Sequence, residues 1–140
     1  MPVLHEVAEP ECRQLLGTVP IGRIGLSEQA LPTILPVHFA VHGEDIVTVP
    51  LAGAQGVSAG RGDVVVFEVD SYDPATGEWW AVTVTGRSRL VTEAAEIADL
   101  DGLVRAPWMA GDAGPVTAVR MEVVRGHRVC RRSAAARMSA

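Results

Sequence analysis

The chain has 140 residues, a net charge of −5 and twelve basic residues, every one of them arginine. This length corresponds to a single domain. The negative net charge argues against non-specific nucleic-acid binding. The lack of lysine excludes Schiff-base and P-loop lysine chemistry. No apolar stretch is long enough to cross a bilayer, and the N-terminus lacks the features of a signal peptide. We therefore expect a cytoplasmic protein whose cysteines, Cys12 and Cys130, are reduced thiols.

The first half of the chain predicts one short helix followed by strands. Residues 9–16 combine Pro10 in a first helical turn with a small apolar face and a following glycine, which predicts a helix. Two apolar segments predict strands at residues 19–26 and 31–41; glycines interrupt the first, and two prolines push the second towards a sheet edge or a bulge. A turn leads into a return strand at residues 45–49, and residues 52–60 form a loop or a weak helix.

The second half contains the clearest secondary-structure signal, at residues 64–91. Two alternating apolar runs flank a polar link with Pro74 and Gly77, which predicts an antiparallel hairpin with one buried face. Apolar residues at helical spacing predict a helix at residues 92–104. A loop at residues 106–115 and a last strand complete the pattern; this strand covers residues 116–124 and continues through residues 126–129.

Six or so antiparallel strands with two or three short helices indicate a mainly β fold, a small barrel with helical plugs. A sandwich is the alternative architecture. Strands do not alternate regularly with helices, which argues against a doubly wound parallel sheet. We expect one domain over residues 1–130 and a disordered tail at residues 131–140.

Short motifs in this order resemble those of the pyridoxamine 5'-phosphate oxidase-like, FMN-binding split β-barrel family, in particular its small actinobacterial type. The matching motifs are GRIG (22–25), PVHF (36–39), VFEVD (66–70), WAVTVTG (80–86), PW (107–108) and GHRV (126–129). The resemblance implies a homodimer with two clefts at the subunit interface, each able to hold FMN or the deazaflavin F420. It also implies an FMN- or F420-dependent oxidoreductase of small molecules, in which the cofactor supplies the chemistry and the protein supplies no catalytic residue.

One part of the family pattern is missing from this chain. In the family, the cofactor phosphate is held by a phosphate clamp of three residues. These are an Arg and a Thr at the end of the strand after the turn, and a Lys a few residues later. The corresponding positions here are Val49, Pro50 and Gln55, next to the hydroxyl of Thr48. Each lost charged donor costs on the order of 2–5 kcal/mol of binding. Arginines elsewhere are candidates to compensate, chiefly Arg87, Arg120 and Arg128.

The resemblance also marks other positions near the cleft. Trp80 lies in a motif close to the dimer cleft, or it is a buried tryptophan without a ligand. Trp108 contacts a ligand or packs in the dimer. His38 alternates with apolar neighbours and either points into the cleft or is a structural histidine. We expect no metal site, and we expect Glu68 and Asp70 to be solvated or paired with a cross-strand arginine.

Because the charged residues that hold the phosphate are missing, functions other than that of a flavin-dependent enzyme stay open. The chain is either a flavin-dependent enzyme or a split barrel that has lost its cofactor and acts as a binding or regulatory protein. A less favoured hypothesis places haem or another flat apolar ligand in the cleft, with His38 as the ligand of the iron.

Overall fold

The structure is a computed structural model that describes residues 3–51, 61–104 and 115–130. Ten elements follow one another along these residues: β1 (Val3–Val7), α1 (Glu9–Leu16), β2 (Ile21–Glu28), β3 (Leu31–His42), β4 (Asp45–Pro50), β5 (Arg61–Tyr72), β6 (Trp79–Leu90), α2 (Ala94–Val104), β7 (Thr117–Arg120) and β8 (Val123–Cys130). Gln55, Trp108 and the tail at residues 131–140, for which the sequence made predictions, lie outside the described residues.

The strands form one antiparallel sheet that closes on itself. Their order is β1-β8-β6-β5-β2-β3-β4-β7, and β7 also pairs with β6. This second pairing closes six strands into a barrel, from which β8 and β1 extend along the free side of β6. The predicted mainly β barrel is thereby confirmed, and the sandwich alternative is wrong. Closure gives the six barrel strands two neighbours each, which leaves few backbone groups unpaired.

The hairpin predicted at residues 64–91 is confirmed as β5 and β6. Its register runs without interruption from Val64 opposite Arg87 to Tyr72 opposite Trp79. The connecting turn needs a glycine, since Gly77 has a φ of 73°. The Gly77 amide donates to the Asp73 carbonyl oxygen at 2.7 Å, which closes the turn.

Alternating side chains divide the buried residues into two clusters. The larger cluster fills the barrel with inward-facing residues such as Phe39, Phe67 and Val84, and α1 plugs one end of the barrel with Cys12, Leu15 and Leu16. The smaller cluster lies outside the barrel, where α2 packs over β4 and β7; its members are Val47, Val49, Val91, Leu100, Val104, Val116 and Ala118. One strand, β4, therefore contributes to both cores, since Ile46 faces inward and Val47 faces α2.

The structure differs from the predicted elements in two places. The strand β1 was not expected, because its residues are exposed or half-buried and show no apolar alternation. The last predicted strand is divided into β7 and β8, with a break at Met121 and Glu122. At this break the chain turns tightly over β6, since a Cβ on Gly86 would collide with the Arg120 carbonyl oxygen.

Pro32 lies where β3 has one described neighbour, and Pro36 lies where the pairing with β4 begins, since its carbonyl oxygen accepts from the Leu51 amide at 3.2 Å. Pro32 and Pro36 pair with β2, whereas the register of β3 with β4 begins at Val37. Because proline has no amide hydrogen to donate, this half of β3 tolerates it as an edge strand does. The expected edge character of the strand is thus confirmed for its first half.

Candidate functional site

A shallow pocket lies on the outward face of β2, β3 and β5. The register places Arg23 opposite Glu68, and it places Gly25 between Val66 on one side and Ile34 on the other. These side chains and Asp70 line a pocket of about 390 Å³. Because Gly25 has no side chain, Val66 lies across it: a Cβ on Gly25 would come within 2.8 Å of Val66 Cγ1.

Two carboxylates share one guanidinium at the rim of this pocket. The Arg23 guanidinium lies 2.9 Å from a carboxylate oxygen of Glu68 and 3.6 Å from one of Asp70. The cross-strand pairing expected for these acids is therefore confirmed. Burial raises the pKa of Glu68, and the neighbouring Asp70 carboxyl raises it further, while Arg23 opposes both effects. The group thus combines one fixed positive charge with a carboxyl group that holds its proton more tightly than usual.

The same face exposes large aliphatic side chains. Ile34 is 72% exposed and Val66 is 37% exposed, and Ile21 and Val64 are exposed as well. An aliphatic patch around a charged pocket is typical of a surface that binds a ligand or another chain. The alternation of β2 and β5 in the sequence places Ile21, Val64 and Val66 on the face opposite the core, but it does not predict that this face is left exposed.

His38 lies at one end of this face. Its neighbours Val37 and Phe39 belong to the barrel core, so the half-buried His38 side chain is on the outward side of β3. In the register His38 is opposite Ile21 on one side and Val49 on the other. It therefore lies between the exposed face and the edge of the cluster that α2 covers.

The described positions of the expected phosphate clamp are buried and uncharged. Val49 is fully buried in the cluster beneath α2, and Pro50 is buried opposite Val37. The Thr48 hydroxyl donates to the Thr117 carbonyl oxygen at 3.2 Å, so its hydrogen serves the contact between β4 and β7. None of these three side chains offers a charged donor to a phosphate group.

Trp80 and Arg128 lie together, but on another side of the barrel from His38. They are direct neighbours in the register of β6 and β8. The Trp80 ring packs against the barrel core, and the Arg128 guanidinium lies 2.8 Å from a Glu11 carboxylate oxygen of α1. Because β5 and β2 separate β6 from β3, a single chain does not bring this pair to His38.

A second pocket gathers two of the arginines that were expected to compensate for the clamp. Arg87 and Arg120 line it together with Arg89, Asp45, Ser88, Ala118 and Glu122, and its volume is about 380 Å³. The third candidate, Arg128, is in the ion pair with Glu11 and does not line this pocket. Alternation along β6 predicted that Arg87 and Arg89 share a face, whereas the approach of Arg120 follows only from the pairing of β6 with β7.

Within residues 3–51, 61–104 and 115–130, no group of three His, Cys, Asp or Glu side chains is arranged to hold a metal ion. Over those same residues, no helix combines the length and apolar character needed to span a membrane.

Comparisons with known proteins point to one family. A sequence profile described as pyridoxamine 5'-phosphate oxidase matches residues 8–136. The uncharacterized protein Rv0080 of Mycobacterium tuberculosis is 34% identical over 129 residues, which cover 89% of this chain and 84% of that protein.

Solved structures share the same fold. An FAD binding protein from Mycobacterium smegmatis is 25% identical, with a TM-score of 0.66, and the match covers 90% of this chain and 98% of that one. An FAD-binding protein from Mesorhizobium loti has a TM-score of 0.73 at 16% identity, with the same shares covered. At this lower identity the likeness concerns the fold alone.

Proposed function

Since the chain belongs to the pyridoxamine 5'-phosphate oxidase family, we propose that it binds a flavin and uses it in oxidation or reduction of small molecules. The observation that carries this proposal is the 25% identity to an FAD binding protein over nearly the whole of both chains. A bound flavin supplies hydride or electron transfer. The residues of this chain bind the cofactor, orient it and keep water away from it.

We place the flavin ring on the outward face of β2, β3 and β5. The aliphatic side chains of Ile34 and Val66 suit contact with a flat aromatic ring, and Gly25 between them lets Val66 lie across the pocket. Arg23 is held in position by Glu68 and Asp70 and can donate to a polar edge of the ring. His38 lies at the end of the same face.

The described residues fit the ring better than they fit a terminal phosphate. FMN ends in a phosphate monoester with close to two negative charges, and Val49 and Pro50 are buried without any charged group to bind it. The bridging phosphates of FAD carry a single charge each, and the adenosine part adds contact area of its own. We therefore propose FAD in preference to FMN or F420.

A homodimer would complete the site. One chain leaves the aliphatic face exposed and keeps Trp80 and Arg128 away from His38. A second copy packed on this face would bury the exposed side chains and would be able to supply the missing groups. The proposal therefore includes a flavin site between two copies of the chain.

The binding of flavin is tested by titration of the purified protein with FAD, FMN and F420, followed by flavin fluorescence and by calorimetry. We expect saturable FAD binding that is at least tenfold tighter than FMN binding. The terminal phosphate of FMN lacks a charged partner in this chain, and one such contact is worth about a factor of ten. Equal binding of FMN would contradict the preference for FAD. A lack of binding by all three would contradict the flavin site and favour the second candidate.

The second candidate is a split barrel without a cofactor that acts as a binding or regulatory protein. The burial of uncharged Val49 and Pro50 at the expected clamp favours it. The same titration distinguishes the two candidates, because this one predicts that the protein is colourless and binds none of the three cofactors.

A further inference from the structure

The pocket between β4, β7 and β6 has three arginine side chains on its walls. Arg87 and Arg89 occupy alternate positions on the outward side of β6, and Arg120 occupies the outward side of β7. The register pairs Arg120 with Asp45 of β4 and pairs Ser88 with Val119. Arg87 and Arg120 adjoin this last pair, one on each strand, and both line the pocket.

Two like charges opposite each other destabilise a sheet unless another charge offsets them. The strands approach closely at Gly86, where the Arg120 carbonyl oxygen fills the space that a Cβ would take. The pairing of β6 with β7 that closes the barrel therefore brings Arg87 and Arg120 to one pocket.

The neighbouring carboxylates neutralise this pair only in part. Asp45 lies 3.6 Å from the Arg89 guanidinium and 3.9 Å from that of Arg120, both beyond hydrogen-bond distance. Arg89 is closely paired with Glu96 of α2. The Glu122 carboxylate accepts the Arg87 backbone N–H at 3.0 Å, while the Arg87 guanidinium donates to the uncharged Gly62 carbonyl at 3.2 Å.

We propose that this arginine pocket binds the phosphate groups of a small phosphorylated molecule. Guanidinium groups bind phosphate through paired hydrogen bonds, and an anion between Arg87 and Arg120 would offset the charge that the carboxylates leave. The volume of about 380 Å³ suits a small molecule.

This anion site is separate from the proposed flavin site. Asp45 lines the arginine pocket, whereas Val49, four residues further along β4 and about 13 Å away, lies beside His38. Between them, Val47 lies in the cluster that α2 covers. Anion binding in the arginine pocket is therefore independent of flavin binding.

The test uses the whole chain without flavin and inorganic pyrophosphate as the probe, measured by calorimetry at low ionic strength. We expect saturable binding that weakens as salt is added, because the contacts are charged. The double variant Arg87→Gln/Arg120→Gln should bind pyrophosphate at least tenfold more weakly. Replacing both arginines with lysine should cause a smaller loss, since lysine keeps the charge but lacks the paired donors.

The matched control is Arg125→Gln, an exposed arginine on β8 that does not line the pocket. It should leave pyrophosphate binding unchanged, and circular dichroism should show that all variants fold. An absence of saturable binding by the unmodified protein would overturn the proposal, as would an equal loss in Arg125→Gln. Citrate binding as tight as pyrophosphate binding would overturn the assignment to phosphate.

Discussion

At the scale of single residues, the most unusual group is Glu68. Its carboxyl is partly buried beside Asp70, and the single guanidinium of Arg23 serves both acids. Burial and the neighbouring carboxyl raise the pKa of Glu68 despite Arg23. The sequence predicted that an arginine would pair with these acids. It did not predict the raised pKa, because that depends on how much water the surrounding strands exclude.

The raised pKa gives the stability of the protein a defined pH dependence. A carboxyl whose pKa is higher in the folded state stabilises the fold at low pH, and this stabilisation is lost as the pH rises through the folded-state value. We therefore expect the unfolding free energy of the unmodified protein to fall relative to that of Glu68→Gln as the pH rises above the usual glutamate range. Urea denaturation at a series of pH values measures this difference.

Glu44 provides a control with the opposite sign. Hydrogen bonding to Arg13 lowers the pKa of Glu44, so its contribution to stability is lost as the pH falls. The unmodified protein should lose stability relative to Glu44→Gln towards acid pH. If both variants show the same slope with pH, the raised pKa of Glu68 is wrong.

At the scale of elements, α2 decides what becomes of the expected phosphate clamp. Its apolar residues cover the outward side of β4 and β7 and bury Val49. The periodicity of residues 92–104 predicted the helix, which begins at Ala94 in the structure. Its docking partner was not predictable, because helical periodicity identifies an apolar face and does not identify the surface that this face covers.

Leu100 tests the contribution of this helix. This side chain lies on the buried face of α2 and is 2% exposed, and Leu100→Ala should lower the unfolding free energy by about 2–5 kcal/mol because it leaves a cavity. The matched control on the same helix is Leu103→Ala, where the side chain is 50% exposed and the expected change is within about 0.5 kcal/mol. Equal losses in urea denaturation would show that α2 does not pack on the barrel as described.

At the scale of the whole molecule, the exposed aliphatic face is the surface on which we place a second copy. We expect the unmodified protein to have about twice the chain mass of 14.8 kDa in light scattering after gel filtration. Ile34→Glu should weaken association at least tenfold, since a buried charge without a partner opposes the contact. The side chain is 72% exposed in the single chain, so folding should be preserved.

Leu103→Glu is the control for this variant, because it adds the same charge at an exposed position on α2. It should remain as dimeric as the unmodified protein. If Ile34→Glu is equally dimeric, the second copy uses another face. Flavin titration of the Ile34→Glu monomer should show weaker binding, because the substitution removes both the second copy and a contact of the proposed ring site.

The sequence by itself determined the local structure and the family. The alternation in residues 64–91 and the turn at Gly77 specified the β5–β6 hairpin, and the ordered motifs indicated the split barrel, because these signals depend on neighbouring residues. Only the tertiary structure decided that Arg87 and Arg120 line one pocket, that Val49 lies beneath α2, and that Trp80 and Arg128 lie away from His38. Each of these depends on which distant strands and helices pack together. Strand pairing and barrel closure bring together residues that are far apart in the chain. Local patterns of apolar residues do not specify which distant residues these will be.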